Sequence, residues 1–125
     1  MDIAITLPKN LWEKIVSGEK AHELRRAFPR KFRIGADKVY VILKGTTEVV
    51  GHFEVMEAYQ VQIHDAVMRS RQIGVEPEWI ARYLDYGNKS GYLWHIGDVT
   101  VFSPHELSLV DLHLKSNPQS FCYIK

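Results

Sequence analysis

Residues 18–25 decide the fold, and their sequence is Gly18-Glu19-Lys20-Ala21-His22-Glu23-Leu24-Arg25. They follow a predicted amphipathic helix, residues 8–17, whose apolar side chains recur at helical spacing along one face. Pro8 suits the first turn of this helix, and Gly18 suits its C-terminal cap. The chain then enters a predicted short strand, residues 21–26. This order of elements places a lysine, a glutamate and an arginine at the junction between a helix and a strand.

The chemistry of these three side chains favours a small polar site. Because side chains alternate along a strand, Glu23 and Arg25 are expected on the same face. The planar guanidinium of Arg25 suits a phosphate or a base edge, and Glu23 can accept a hydrogen bond from a base or hold Arg25 in place. Lys20 can contact phosphate, or act as a base if burial lowers its pKa. The alternative is a purely structural ion pair between Glu23 and Arg25 that closes one end of a barrel.

The rest of the chain predicts an α+β fold. Two more helices are expected, one over residues 62–72 and one that begins at Pro77 and turns Trp79, Ile80, Tyr83 and Leu84 inward. Strands are predicted over residues 2–6, 38–43, 48–58, 92–96, 98–102 and 121–124. Gly51 lies within one of these strands, which indicates a bulge or a close backbone approach. Short strands joined by tight turns favour a small, partly closed, mainly antiparallel β-barrel with two to three helices.

The eight-residue stretch fits the pattern G-x-K-x-x-E-x-R, which resembles the signature of the ASCH family. Three later segments, residues 83–92, 95–98 and 117–123, are similar to blocks in longer ASCH proteins, so the resemblance extends over nearly all of the chain. It implies a single domain, residues 1–125, of PUA-like fold. It also implies a cleft lined by Lys20, Glu23 and Arg25 that recognises RNA or nucleotides.

The resemblance does not decide whether the cleft is catalytic. Small ASCH proteins that this chain resembles include a 4-acetylcytidine amidohydrolase, which uses a lysine, a threonine and a glutamate. That lysine corresponds to Lys20, whereas the threonine falls where this chain has Glu23, so the hydroxyl nucleophile is missing. Other members are described as ribonucleases. If the cleft is catalytic, the candidate residues are Lys20, Glu23 and His22, since histidine can exchange a proton near neutral pH.

Positive charge is concentrated around the motif. Residues 20–38 carry a charge of +5 in a chain of net charge +1, so the remaining residues carry −4, the difference between the two. Such a segment is typical of a polyanion-binding surface, although a solvated basic loop is an equal alternative on charge alone. Its candidate ligand contacts beyond Arg25 are Arg26, Arg30, Lys31 and Arg33.

A second group of candidate contacts lies later in the chain. Tyr92 and Trp94 share a predicted strand face and could stack on unpaired bases, or could equally belong to the core. Lys89, in the preceding turn, is a candidate phosphate contact.

The sequence argues against several classes of protein. Cys122 is the only cysteine, so no internal disulfide can form, and its apolar neighbours indicate a small buried side chain. The six histidines show no metal-binding spacing, and no glycine-rich nucleotide-cofactor motif occurs, so no metal or cofactor is expected. No secretory signal and no apolar run near ~20 residues is present, and a cytoplasmic location is expected.

Three functions remain, in descending order of support. The first is a module that binds single-stranded RNA or a nucleotide. The second is an enzyme in the same cleft that acts on RNA or on a modified nucleoside. The third is a regulatory protein-interaction domain whose basic loop docks an acidic partner, without a nucleic-acid ligand.

Overall fold

The computed structural model describes residues 1–125, which form one mixed sheet curved into a half-barrel. Its strands are β1 (Ile3–Leu7), β2 (His22–Arg25), β3 (Lys38–Leu43), β4 (Glu48–Val61), β5 (Gly91–Val101), β6 (Leu107–Ser108) and β7 (Cys122–Tyr123). The strand order is β2-β5-β4-β3-β1-β7, and β6 pairs with β4 outside this path. Only β1 and β3 run parallel; the other pairs are antiparallel. The predicted α+β, mainly antiparallel architecture is confirmed, with β2 and β7 at its two edges.

Four short α-helices pack on this sheet, α1 (Lys9–Ser17), α2 (Ile63–Met68), α3 (Ser70–Ile73) and α4 (Pro77–Tyr83). The single helix predicted over residues 62–72 is divided into α2 and α3 at Arg69, which has φ −105° and ψ 18°. The prediction of two to three helices was therefore one short. Two 3₁₀ turns complete the helical structure, Asp85–Gly87 and Val110–Leu112. None of the helices is long and apolar enough to cross a membrane.

Gly51 permits a close approach between the central strands and α1, as its position within a predicted strand indicated. A Cβ atom added there would lie 2.2 Å from the Thr100 carbonyl oxygen and 2.7 Å from the Trp12 ring. Any larger residue at position 51 would therefore collide with backbone as well as with α1.

Strand β2 lies between two apolar clusters. One fills the half-barrel beneath α1 and contains Trp12, Phe53 and Trp94. The other packs α2, α3 and α4 against the opposite face of β2 and β5, and it contains Leu24 and Ile80. Alternation along β2 therefore turns Leu24 towards the helices and its neighbours Glu23 and Arg25 to the opposite face.

Candidate functional site

The three motif side chains converge, as their spacing predicts. Glu23 accepts from the Nζ of Lys20 at 2.9 Å through one carboxylate oxygen and from the Nε of Arg25 at 2.6 Å through the other. Glu23 and Arg25 lie on one face of β2 because they are two residues apart, opposite Trp94 and Tyr92 of β5. Lys20 approaches from the turn between α1 and β2. The result is a chain of two ion pairs with one carboxylate at its centre.

Lys20 is a buried cation with its donors fully used. Its side chain is only 1% exposed, and Nζ also donates to the carbonyl oxygens of His22 and Ile73, each at 2.6 Å. An ammonium group has three N–H donors, and these two carbonyls and Glu23 account for all of them. Burial lowers the pKa of Lys20, and the neighbouring Glu23 carboxylate opposes that effect. Lys20 thereby ties the start of β2 to the end of α3.

Glu23 is held ionised by its two cationic partners. Burial alone would raise the pKa of this carboxyl, but the charges of Lys20 and Arg25 and their hydrogen bonds outweigh burial, so the pKa of Glu23 is lowered. A buried carboxylate between two cations is compensated within the protein. The carboxylate orients Arg25, and because it offsets only one of the two cations, the group of three residues keeps one net positive charge.

Of the three linked residues Lys20, Glu23 and Arg25, Arg25 is the one that reaches solvent. Its side chain is 13% exposed, and Nη1 donates to the carbonyl oxygen of Ser120 at 3.0 Å. With Nε on Glu23 and Nη1 on Ser120, the guanidinium is fixed from both sides. The structure shows no hydrogen bond from Nη2. Arg25 is therefore oriented in advance, with donor capacity left for a ligand.

A cleft of about 830 Å³ opens beside this chain of ion pairs. One wall is β2 and the chain just after it, and another is the end of β1 with the start of α1. Helices α3 and α4 and the turn between them contribute Ile73, Val75, Trp79 and Tyr83 to a third wall, and residues 117–120 and Lys44 complete the rim. Hydrogen bonds from Thr6 to the Pro118 carbonyl (3.0 Å) and from Asn117 to the Thr46 carbonyl (2.9 Å) hold the 117–120 segment in place.

The charge of the cleft is strongly positive. Its basic residues are Lys20, Arg25, Arg26 and Lys44, and its only acidic residue is the paired Glu23. Arg26 and Lys44 are exposed, and neither takes part in an ion pair within the chain. This arrangement can attract an anion and can hold it with directional donors.

Aromatic rings at the mouth of the cleft form a layered stack that sequence reasoning missed. Trp79 and Tyr83 of α4 stack with ring centroids 4.8 Å apart and an interplanar angle of 20°. The guanidinium of Arg26 lies 4.4 Å from the Tyr83 ring centroid. The helical pattern predicted both rings to point inward. Tyr83 is half-buried against the cluster that contains Ile80 and Leu84, whereas Trp79 is 42% exposed. The available signal was the i, i+4 spacing of two aromatic residues on one helix.

Several candidate residues lie away from the cleft. His22 lies on the opposite face of β2 and stacks on His95 with ring centroids 5.1 Å apart. Burial, first, and then the neighbouring His95 lower the pKa of His22.

Trp94 is completely buried and packs edge-to-face against Phe28, so of its two interpretations the structure shows the core one. Tyr92 shares the face of Arg25 and is half-buried against the same apolar cluster. Lys89 is exposed but lines neither the cleft nor the shallow pocket beside it.

The basic loop after β2 extends the positive surface without lining the cleft. Arg30 is exposed, and the Nζ of Lys31 lies 5.9 Å from the Tyr123 ring centroid. Arg33 is committed to Asp37, to which its Nη2 donates at 3.0 Å. The loop therefore runs along the edge of the half-barrel where β7 lies, and its free cations are Arg30 and Lys31.

The fold is similar to that of solved ASCH structures. The structure matches the crystal structure of ASCH from Zymomonas mobilis with a TM-score of 0.82 and 20% sequence identity, over 99% of this chain and 87% of that chain. A serine-to-alanine mutant of the same protein matches with a TM-score of 0.82 at 18% identity, over 99% of this chain and 88% of that one. No family model and no curated protein sequence matches the chain. The resemblance inferred from residues 18–25 is thus confirmed at the level of the fold.

Proposed function

We propose that the cleft binds a nucleotide or a nucleotide unit of single-stranded RNA, with the phosphate held by Arg25 and Lys44. One observation carries this proposal: the cleft contains four basic side chains, and its only carboxylate is already neutralised by two of them. An anionic ligand is the chemistry that such a charge distribution favours. The apolar helical wall beside the cations suits the flat, mainly apolar face of a base.

Arg25 is the best-placed phosphate contact. Since Glu23 and the Ser120 carbonyl fix its guanidinium, little side-chain entropy is lost when a ligand binds. Lys44 lies at the rim with an exposed ammonium that can contact a second phosphate oxygen or a neighbouring phosphate. Because both residues line the same cleft, an anionic ligand there is within the field of two cations.

The geometry favours binding over catalysis. The three N–H donors of Lys20 already have acceptors, and both oxygens of Glu23 already accept hydrogen bonds. Either residue would have to leave an ion pair in a buried environment before it could exchange a proton with a ligand. The chain of ion pairs is suited instead to holding Arg25 in place.

The test compares two exposed lysines. Lys44 lines the cleft and Lys89 does not, so Lys44→Ala and Lys89→Ala remove the same charge from different places. Calorimetric titration with AMP and with a short single-stranded RNA should show weaker binding for Lys44→Ala, by about tenfold or ~1.4 kcal/mol, and wild-type binding for Lys89→Ala. Equal losses in both variants would mean that only net charge matters. Binding that is unchanged in Lys44→Ala would remove the cleft as the ligand site.

A further inference from the structure

The aromatic stack at the mouth of the cleft has one open end. The centroids of the Trp79 and Tyr83 rings are 4.8 Å apart, a separation that leaves no space for a guanidinium group between them. Arg26, at 4.4 Å from the Tyr83 centroid, must therefore cover the other face of that ring. The order of the layers is therefore Arg26, Tyr83, Trp79, and Trp79, which is 42% exposed, is the outermost ring.

The surroundings of Trp79 suit a base and its phosphate. Trp79 is 42% exposed, although burial of its large apolar ring would be favourable. It lines the main cleft and also a second, shallow pocket of about 270 Å³ that it shares with Arg82 and Tyr83. Arg82 is exposed and takes part in no ion pair within the chain. The flat ring of Trp79 and the unpaired cation of Arg82 thus line the same shallow pocket, which adjoins the charged cleft.

We infer that Trp79 is the platform of a second base subsite, so that the ligand is a single-stranded oligonucleotide of at least two residues. The first nucleotide occupies the cleft, and the base of the next one extends the stack on the open face of Trp79. Arg82 faces the phosphate of this outer nucleotide. This inference rests on the proposed function of the cleft as a nucleotide site. It adds the length of the ligand and the position at which a second base is recognised.

The experiment isolates the second base from its phosphate. The ligands are AMP, adenosine 3′,5′-bisphosphate and the 5′-phosphorylated dinucleotide pApA, each titrated calorimetrically. The bisphosphate carries the additional phosphate without an additional base, and because that phosphate is a monoester its charge is at least as negative as that of the phosphodiester in pApA. Wild-type protein should bind pApA about 5- to 150-fold more tightly than the bisphosphate, the range typical of one stacked base. Trp79→Ala should lose this gain, and because Trp79 also belongs to the helical wall of the cleft, any loss of AMP affinity should be several-fold smaller than the loss for pApA.

Two further variants control for indirect effects. Trp79→Phe keeps an aromatic ring and should retain most of the gain. Tyr59→Ala removes an exposed aromatic ring of β4 that lines neither pocket, and it should behave as wild type. Circular dichroism and thermal unfolding should show that the variants are folded.

The outcomes separate this inference from the function of the cleft. If pApA binds no more tightly than the bisphosphate, or if Trp79→Ala weakens AMP and pApA by the same factor, the second subsite does not exist. In that case AMP binding that depends on Lys44 would leave the cleft intact as a nucleotide site. If wild-type protein binds none of the three ligands, both the subsite and the proposed function are overturned.

Discussion

Arg25 and Ser120 are joined by a hydrogen bond from the guanidinium Nη1 to the carbonyl oxygen, 3.0 Å long, across 95 positions of sequence. Arg25 ends β2 at one edge of the sheet, and Ser120 precedes β7 at the other edge. The half-barrel is therefore bridged on its open side by a side chain that also lines the cleft. The proposed ligand contact and the bridge across the barrel therefore involve the same guanidinium group.

Arg25→Ala should weaken both stability and binding. It removes two charge-assisted hydrogen bonds but leaves Glu23 paired with Lys20, so we expect a loss of about 1.5–3 kcal/mol in unfolding free energy, measured in urea. RNA binding by the folded protein should weaken by about 1–3 kcal/mol if the contact is bidentate. Arg71→Ala, at an exposed helical position without an ion pair, is the matched control. If Arg25→Ala lowers stability but leaves binding by the folded protein unchanged, the residue is structural and the ligand site lies elsewhere.

The buried pair of Lys20 and Glu23 should show strong energetic coupling. Glu23→Leu leaves two cations facing each other in a buried site, and it should cost about 3–5 kcal/mol. Lys20→Met should cost less, because Arg25 still neutralises the carboxylate. The double variant should therefore cost clearly less than the sum of the single variants in a urea-denaturation cycle.

A second ion pair, between Lys38 and Glu54, provides the comparison for this cycle. Its side chains are 33% and 25% exposed, so solvent screens their interaction. Glu54→Gln should change the unfolding free energy by less than about 1 kcal/mol. If the effects of the Lys20 and Glu23 variants were additive and no larger than the effect of Glu54→Gln, the interpretation of a compensated buried charge would be contradicted.

Stability should fall at acidic pH through Asp37 and Glu23. Arg33 holds the pKa of Asp37 well below its ordinary value of 3.8, so the folded protein binds fewer protons than the unfolded chain in the interval between the two pKa values. The contribution of Asp37 is therefore complete above pH 3.8 and is lost as the pH falls through the folded-state pKa. Urea unfolding of Asp37→Asn should depend less on pH in this range than wild type does.

RNA affinity should decrease steeply with salt, because each neutralised phosphate releases counterions. In a plot of log affinity against log salt concentration, the slope should fall in magnitude by about 0.7 for each phosphate contact that is removed. Arg30→Ala and Lys31→Ala should each show this change if the basic loop follows the RNA backbone. Arg33→Ala should show a smaller change, since its guanidinium is bound to Asp37. Salt-independent binding would exclude the loop as a phosphate-binding surface.

Local sequence signals were sufficient for the elements around the motif. The helix that ends at Gly18, the short strand after it and the shared face of Glu23 and Arg25 follow from capping preferences and from strand alternation. Gly51 was also recognised from its position alone. These features depend on the backbone conformation of a few neighbouring residues.

The features that sequence reasoning missed depend on which neighbour covers a side chain. Trp79 and Ile80 occupy adjacent rows of α4, and periodicity cannot show that only the row of Ile80 and Leu84 is buried. Trp94 shares the face of Glu23, but Phe28 from the following loop covers it. The break at Arg69 likewise has no glycine or proline to mark it. Each outcome is decided by tertiary packing.

The position of the 117–120 segment late in the sequence determines when the cleft can form. Lys20, Glu23 and Arg25 lie within six consecutive residues, whereas the wall that fixes Arg25 from the other side comes almost a hundred residues later and is positioned by pairing of β7 with β1. Contacts between such distant parts of a chain form late, because a long loop must be closed first. During synthesis from the N-terminus, the segment that contains Lys20 and Arg25 leaves the ribosome long before the 117–120 segment. Competence to hold a ligand should therefore appear after most of the sheet has already formed.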